Sequence, residues 1–156
     1  MSFQITGLDA GPFRRFYGLS DDELQSFGVK RLIADARPSF PDRIELRDVE
    51  RGEALLLLNY LHQPADTPPY RASHAIFVRE WAETPYRAVD ETPEVLWMRP
   101  ISLRAFDASG DMIDADLTAG GDLKPAIERL FADPEAAYIH AHYATRGCYA
   151  ARIDRA

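Results

Sequence analysis

Tyr138-Ile139-His140-Ala141-His142-Tyr143-Ala144-Thr145-Arg146-Gly147-Cys148-Tyr149-Ala150-Ala151-Arg152-Ile153-Asp154 decides the fold. Two alternating segments flank a turn with glycine at its end, which predicts an antiparallel β-hairpin. A type I turn followed by glycine in a G1 bulge sets the register. That register pairs Ala141 with Ala151 and Ile139 with Ile153. Ile139, Ala141, Tyr143, Tyr149, Ala151 and Ile153 then share an apolar face. Tyr138, His140, His142, Cys148, Arg152 and Asp154 occupy the other. A slip of one residue would send each side chain to the wrong face.

The same logic applies upstream. Ile101-Ser102-Leu103-Arg104-Ala105-Phe106 turns through Asp107-Ala108-Ser109-Gly110-Asp111 into Met112-Ile113-Asp114-Ala115-Asp116-Leu117. The expected register pairs Ala105 with Ile113 and Leu103 with Ala115, and it rejects Ala105 opposite Asp114. Arg104 and Asp114 are then expected to face each other across this hairpin. Between the hairpins, Leu123, Ala126, Ile127, Leu130 and Phe131 fall at helical spacing. They predict a helix over 122–132 lying on a sheet.

Toward the N-terminus, Phe3 to Leu8 alternates and reads as a strand. Ser20-Asp21-Asp22-Glu23 is a capping box, with Leu19 and Leu24 as a hydrophobic staple and Gly28 at the C-terminal cap. Val29 to Ala34 and Arg43 to Leu46 read as strands around Pro38-Ser39-Phe40-Pro41. Glu53 to Leu61 is apolar on both faces, as a central strand must be. Gln63 to Tyr70 is a proline-stiffened loop, and Ser73 to Glu80 is the next strand. Residues 81–100 read as irregular. Runs of strands without alternating βαβ units give an α+β fold. The expectation is a mostly antiparallel sheet with a few short helices packed on one face, in one domain over residues 1–156.

Composition excludes several classes. At 46% hydrophobic and 28% charged residues the chain is globular, not disordered. A net charge of −7 with no basic run argues against nucleic acid. One cysteine precludes a disulfide within the monomer. The N-terminus lacks a signal-peptide pattern, and the longest apolar run, Ala54 to Leu58, is too short for a bilayer. The expected location is cytoplasmic, with no membrane partner. Nucleotide-binding glycine loops, Gly-x-Ser-x-Gly, Cys-x-x-Cys and His-Glu-x-x-His are all missing from the sequence.

The chemistry concentrates in His140-Ala141-His142. Residues two apart on a strand share a face about 6.6 Å apart at the backbone. Two imidazoles so placed converge on a divalent metal such as zinc when another strand supplies a third ligand. His74, His62, Asp114 and Glu80 are candidates. His74 is preferred because it begins a strand, whereas His62 enters the proline loop. The bland alternative is two polar side chains on a half-solvated sheet face. Cys148, expected beside His142, is a candidate nucleophile or an inert buried thiol. Arg104, with Arg152 or Arg71, makes either an anion clamp or ordinary surface ion pairs. Asn59 and its neighbours on the Asn59–Glu80 segment line a pocket or simply pin the loop.

Leu57-Leu58-Asn59-Tyr60, His62-Gln63-Pro64 and Pro69-Tyr70-Arg71-Ala72-Ser73-His74-Ala75-Ile76-Phe77-Val78-Arg79-Glu80 carry a resemblance. So do Leu103-Arg104-Ala105-Phe106-Asp107, Ile139-His140-Ala141-His142 and Arg146-Gly147-Cys148-Tyr149-Ala150-Ala151-Arg152. With these motifs the chain resembles a bacterial family defined as domain of unknown function number 1203. The resemblance spans nearly the whole chain. It implies a bacterial protein built from this one domain, and it brings no activity. The family pattern has Asn after the second histidine, where this chain has Tyr143.

Two readings of function follow. The first is a small-molecule enzyme or metal-assisted ligand-binding protein using the His-x-His face. The second is a non-catalytic interaction or regulatory module in which those histidines are structural. A small-molecule anion is the expected partner of the first, and assembly into a homo-oligomer is compatible with either.

Overall fold

The computed structural model describes residues 1–35, 40–64, 66 and 68–156. Pro38 and Ser39 of the first expected loop, and Ala65 and Thr67 of the second, lie outside the described residues. The strands are β1 (Phe3–Thr6), β2 (Lys30–Ile33), β3 (Ala54–Gln63), β4 (Ala72–Arg79), β5 (Arg87–Val89), β6 (Pro100–Phe106), β7 (Met112–Ala119), β8 (Tyr138–Tyr143) and β9 (Tyr149–Arg155). The helices are α1 (Asp21–Ser26), α2 (Glu94–Trp97) and α3 (Leu123–Leu130). A six-stranded sheet runs β5-β1-β9-β8-β6-β7, and a three-stranded sheet runs β2-β3-β4. Neighbours within both sheets pair antiparallel. The protein is α+β, mostly antiparallel, with short helices.

The apolar stripe of α3 does what its spacing dictates. Leu123, Ile127, Leu130 and Phe131 are each no more than 1% exposed and pack with Ile101, Leu103, Ala105, Ile139 and Ala141 of the large sheet. The stripe extends one residue past the last helical turn, because Phe131 is the C-cap. At α1 the expected capping box is present in full: Ser20 Oγ accepts from the Glu23 amide, and Glu23 Oε2 accepts from the Ser20 amide. Leu24 anchors this helix in a second cluster with Leu56, Leu58 and Ile76 of the small sheet, against which Leu19 packs. As expected, β3 is the central strand of its sheet.

Four expectations need correction. Phe106 pairs with Met112 as expected, but an extra residue at Ile113 shifts the rest of the β6–β7 hairpin, and Ala105 faces Asp114. The apolar pattern misled because β7 is an edge strand. Asp114 and Asp116 reach Arg129 of α3 at 3.1 and 3.0 Å, while Leu117 is left 70% exposed. Arg104 therefore opposes Ala115 and His140, not Asp114.

The second hairpin keeps Ala141 opposite Ala151, Ile139 opposite Ile153 and His140 opposite Arg152. Ala150 is then bulged out, so His142 faces Tyr149, which changes sides. Cys148 packs against the helix-side cluster instead of standing with His142.

Arg43 to Leu46 is not a strand. The buried Asp42 carboxylate accepts from the amides of Ile44, Glu45 and Arg79, which folds the segment into a bend. Residues 81–100 hold β5, paired with β1, and α2, which buries Val95 and Leu96. Elements of three and four residues are too short to show a period.

Candidate metal centre

The large sheet is covered on both faces. Its second face carries Tyr138, His140, His142 and Tyr149, and it meets Tyr60, His62 and His74 of the small sheet. His140 is 3% exposed and His142 is fully buried, so the face is not half-solvated. All four histidines of the chain gather here. The His62 and His74 rings stack with centroids 4.8 Å apart, and His62 lies 5.7 Å from His140 and 5.1 Å from His142. One ring nitrogen from each of His62, His140 and His142 lies within 4.8 Å of the others.

Both sheets contribute through their registers. His140 and His142 sit two apart on β8. β3 runs on through a bulge at Leu61/Gln63, so the proline loop begins only after His62. The buried Gln63 amide donates to Gly110 O and to Tyr138 Oη, both at 3.0 Å, and ties β3 to the large sheet. Tyr60 pairs with His74 across β3–β4, which puts His74 on the same face as His62.

A hydrogen bond selects the tautomer of His142. His142 Nδ1 lies 3.0 Å from the Gly147 carbonyl, which only accepts, so Nδ1 carries the proton and Nε2 keeps a lone pair. His142 Nε2, His62 Nδ1 and His140 Nδ1 are buried without a hydrogen-bond partner. His74 Nδ1 lies 2.8 Å from His62 Nε2. The direction of this bond follows the tautomer: with the His62 Nδ1 lone pair turned to a metal, Nε2 would carry the proton and donate to His74. An outer partner that orients a metal-binding imidazole has this form.

Electrostatics keep the rings neutral. Burial pushes His140 down to about 2, His142 to about 3 and His62 to about 4; the neighbouring histidines and Arg104 lower them further, and the Gly147 hydrogen bond partly opposes the shift at His142. His74 is lowered too, by burial and then by Arg104 and Arg43. No described carboxylate stands in this histidine cluster.

The other expected site residues divide. Arg104 opposes His140 and is partly buried, with no ion pair among the described residues. Arg152 also opposes His140, but its guanidinium binds Asp154 and lies 4.0 Å above the Tyr138 ring. Arg71 and Asn59 are exposed, and Asn59 lies on the face of β3 opposite His62. The Cys148 thiol accepts from Arg43 Nη2 at 3.2 Å. His62, set second to His74, supplies the converging nitrogen. Tyr149, placed by the Ala150 bulge, stacks on His62 at 5.2 Å. The sequence named His62 among four candidate third ligands and again in the motif His62-Gln63-Pro64, but ranked it below His74.

Among the described residues, no helix is long and apolar enough to cross a membrane. Neither the curated proteins nor the solved structures give a match to this chain. A family model described as protein of unknown function (DUF1203) matches residues 39–155, a span that holds all four histidines and both hairpins, and the chain belongs to that family.

Proposed function

We propose that this protein binds a divalent metal such as zinc through His62, His140 and His142, and uses it to bind or transform a small anionic molecule. One arrangement carries the reading: His62, His140 and His142 each bring one ring nitrogen within 4.8 Å of the others, and each of the three has a buried ring nitrogen without a hydrogen-bond partner. A buried polar atom left unpaired costs about 1–3 kcal/mol. Three together are hard to reconcile with a purely structural histidine face, and a metal satisfies all three. Tetrahedral ligands at about 2.0–2.1 Å stand roughly 3.3–3.4 Å apart. Nitrogens within 4.8 Å reach that spacing by small ring movements.

Three imidazoles leave a fourth position, as in catalytic zinc sites; structural ones fill all four. Neutral rings are what metal binding requires. Arg104, on the same face as His140, would repel a dication unless an anion lay between them. A ligand bound to the metal through one oxygen and to Arg104 through another removes that repulsion.

Zinc titration followed by melting temperature tests the reading. Zinc binding to the native state alone stabilises by RT ln(1 + [L]/Kd), about 2.7 kcal/mol at 100 times Kd. Wild type is expected to respond, and His140→Ala/His142→Ala is not. Equal responses from two proteins that both melt cooperatively would refute it.

A further inference from the structure

Arg43 is 1% exposed, and its guanidinium makes no ion pair among the described residues. Nε donates to Tyr149 O at 2.8 Å, Nη1 to Pro41 O and Nη2 to Cys148 Sγ at 3.2 Å. Each terminal nitrogen keeps a second N–H. The neighbouring carboxylates are committed elsewhere: Asp42 to three backbone amides, and Asp48 to Arg99 at 2.6 Å. A buried charge is normally paired, because moving an ion out of water is expensive. The Tyr143 ring, 4.8 Å from the guanidinium, offsets part of that cost. Yet the Tyr143 hydroxyl is itself buried without a partner.

Arg43 and Tyr143 are both among the residues lining a cavity of about 540 Å³, within the usual range for small-molecule sites. Arg99 and Arg146 line it as well, and no Asp or Glu does among the described residues. Asp48 holds Arg99, so Arg43 and Arg146 are the arginines of this wall without an ion pair among the described residues, in a chain of net charge −7. Leu57, Phe77 and Pro100 make the rest of the wall apolar.

We infer that this cavity is a binding site for a small organic carboxylate with an apolar body. The carboxylate accepts from the free N–H groups of Arg43 and from the Tyr143 hydroxyl, with the exposed Arg146 adding a second cation. The apolar body lies against Leu57 and Phe77. Inorganic phosphate shares the charge but has nothing to place on that wall. The site is separate from the proposed metal centre: His74 lines it, and none of the three converging imidazoles does. The inference therefore stands without the metal.

Isothermal titration of the full chain with phenylacetate, phenylacetamide and inorganic phosphate tests it. Phenylacetate is expected to bind saturably at one site. The neutral amide and phosphate should each bind at least tenfold more weakly. Arg146→Glu, at an exposed position, should weaken phenylacetate at least tenfold without moving the melting temperature, and Tyr143→Phe should weaken it too. His140→Ala/His142→Ala should bind phenylacetate as wild type does, which separates this site from the metal reading. The inference is overturned by acid and amide binding alike, by phosphate binding as tightly as the acid, by no saturable binding of the acid, or by an unaffected Arg146→Glu variant.

Discussion

Lowering the pH from 7.5 to 5.5 in the presence of a chelator should destabilise this protein through two buried histidines. His140 is 3% exposed and His142 is fully buried, and burial pushes them down to about 2 and about 3 from an ordinary 6.5. In the unfolded chain each ring takes up a proton as the pH passes 6.5. In the folded chain neither does. The unfolded state therefore binds more protons, and stability is kept above pH 6.5 and lost below it. Over these two pH units each ring that stays neutral removes about 1.4 kcal/mol, or roughly 2.7 kcal/mol for the pair. At about 2–4 °C per kcal/mol for a chain of this size, the share of these two rings is a fall in melting temperature of about 5–11 °C; His62, pushed down to about 4, adds a loss of its own that is common to wild type and control. Asp42, whose carboxyl is raised by burial, acts in the opposite sense, so the comparison needs a control. His140→Gln/His142→Gln lacks both titrating rings and supplies it. Melting curves of both proteins at the two pH values give the difference. If the variant loses as much as wild type, the rings are not held neutral and the reasoning fails.

Other consequences concern the core. Leu130→Ala should cost about 2–5 kcal/mol, read by denaturant unfolding, because Leu130 is 1% exposed under α3; a loss under about 1 kcal/mol would mean the stripe is not tightly packed. Gly120→Ala should destabilise by more than about 3 kcal/mol, since a Cβ there collides with the carbonyl oxygens of Leu96 and Trp97, backbone atoms that cannot swing away. A variant with unchanged chemical denaturation would contradict that close approach.

How much of this was legible in the sequence depended on which competing force acted at each element. The β8–β9 register could be read because the Gly147 turn and the alternation of Ile139, Ala141, Ala151 and Ile153 agree. The β6–β7 register could not, although its turn looks similar. On an edge strand, an aspartate on the helix side needs only a cation, and Arg129 provides it. Tyr149 changed faces through one bulged residue, which alternation cannot signal.

The candidate site was half visible. His140-Ala141-His142 announced itself by spacing. The burial of that face did not, because it depends on a second sheet lying against it. His62 and His74 were both weighed, and the structure brings both in. The ordering of the two turned on where β3 ends, and a bulge carries the strand past His62. Arg43 gave no local signal: its burial follows from the bend made by Asp42, a tertiary arrangement.

The metal centre is tested most directly by zinc K-edge X-ray absorption on protein loaded with one equivalent of zinc. The account predicts a first shell of three imidazole nitrogens at about 2.0–2.1 Å and one further light-atom ligand, with no sulfur. A zinc–sulfur shell near about 2.3 Å, or fewer than three imidazoles, would contradict the assignment of His62, His140 and His142 as the ligands.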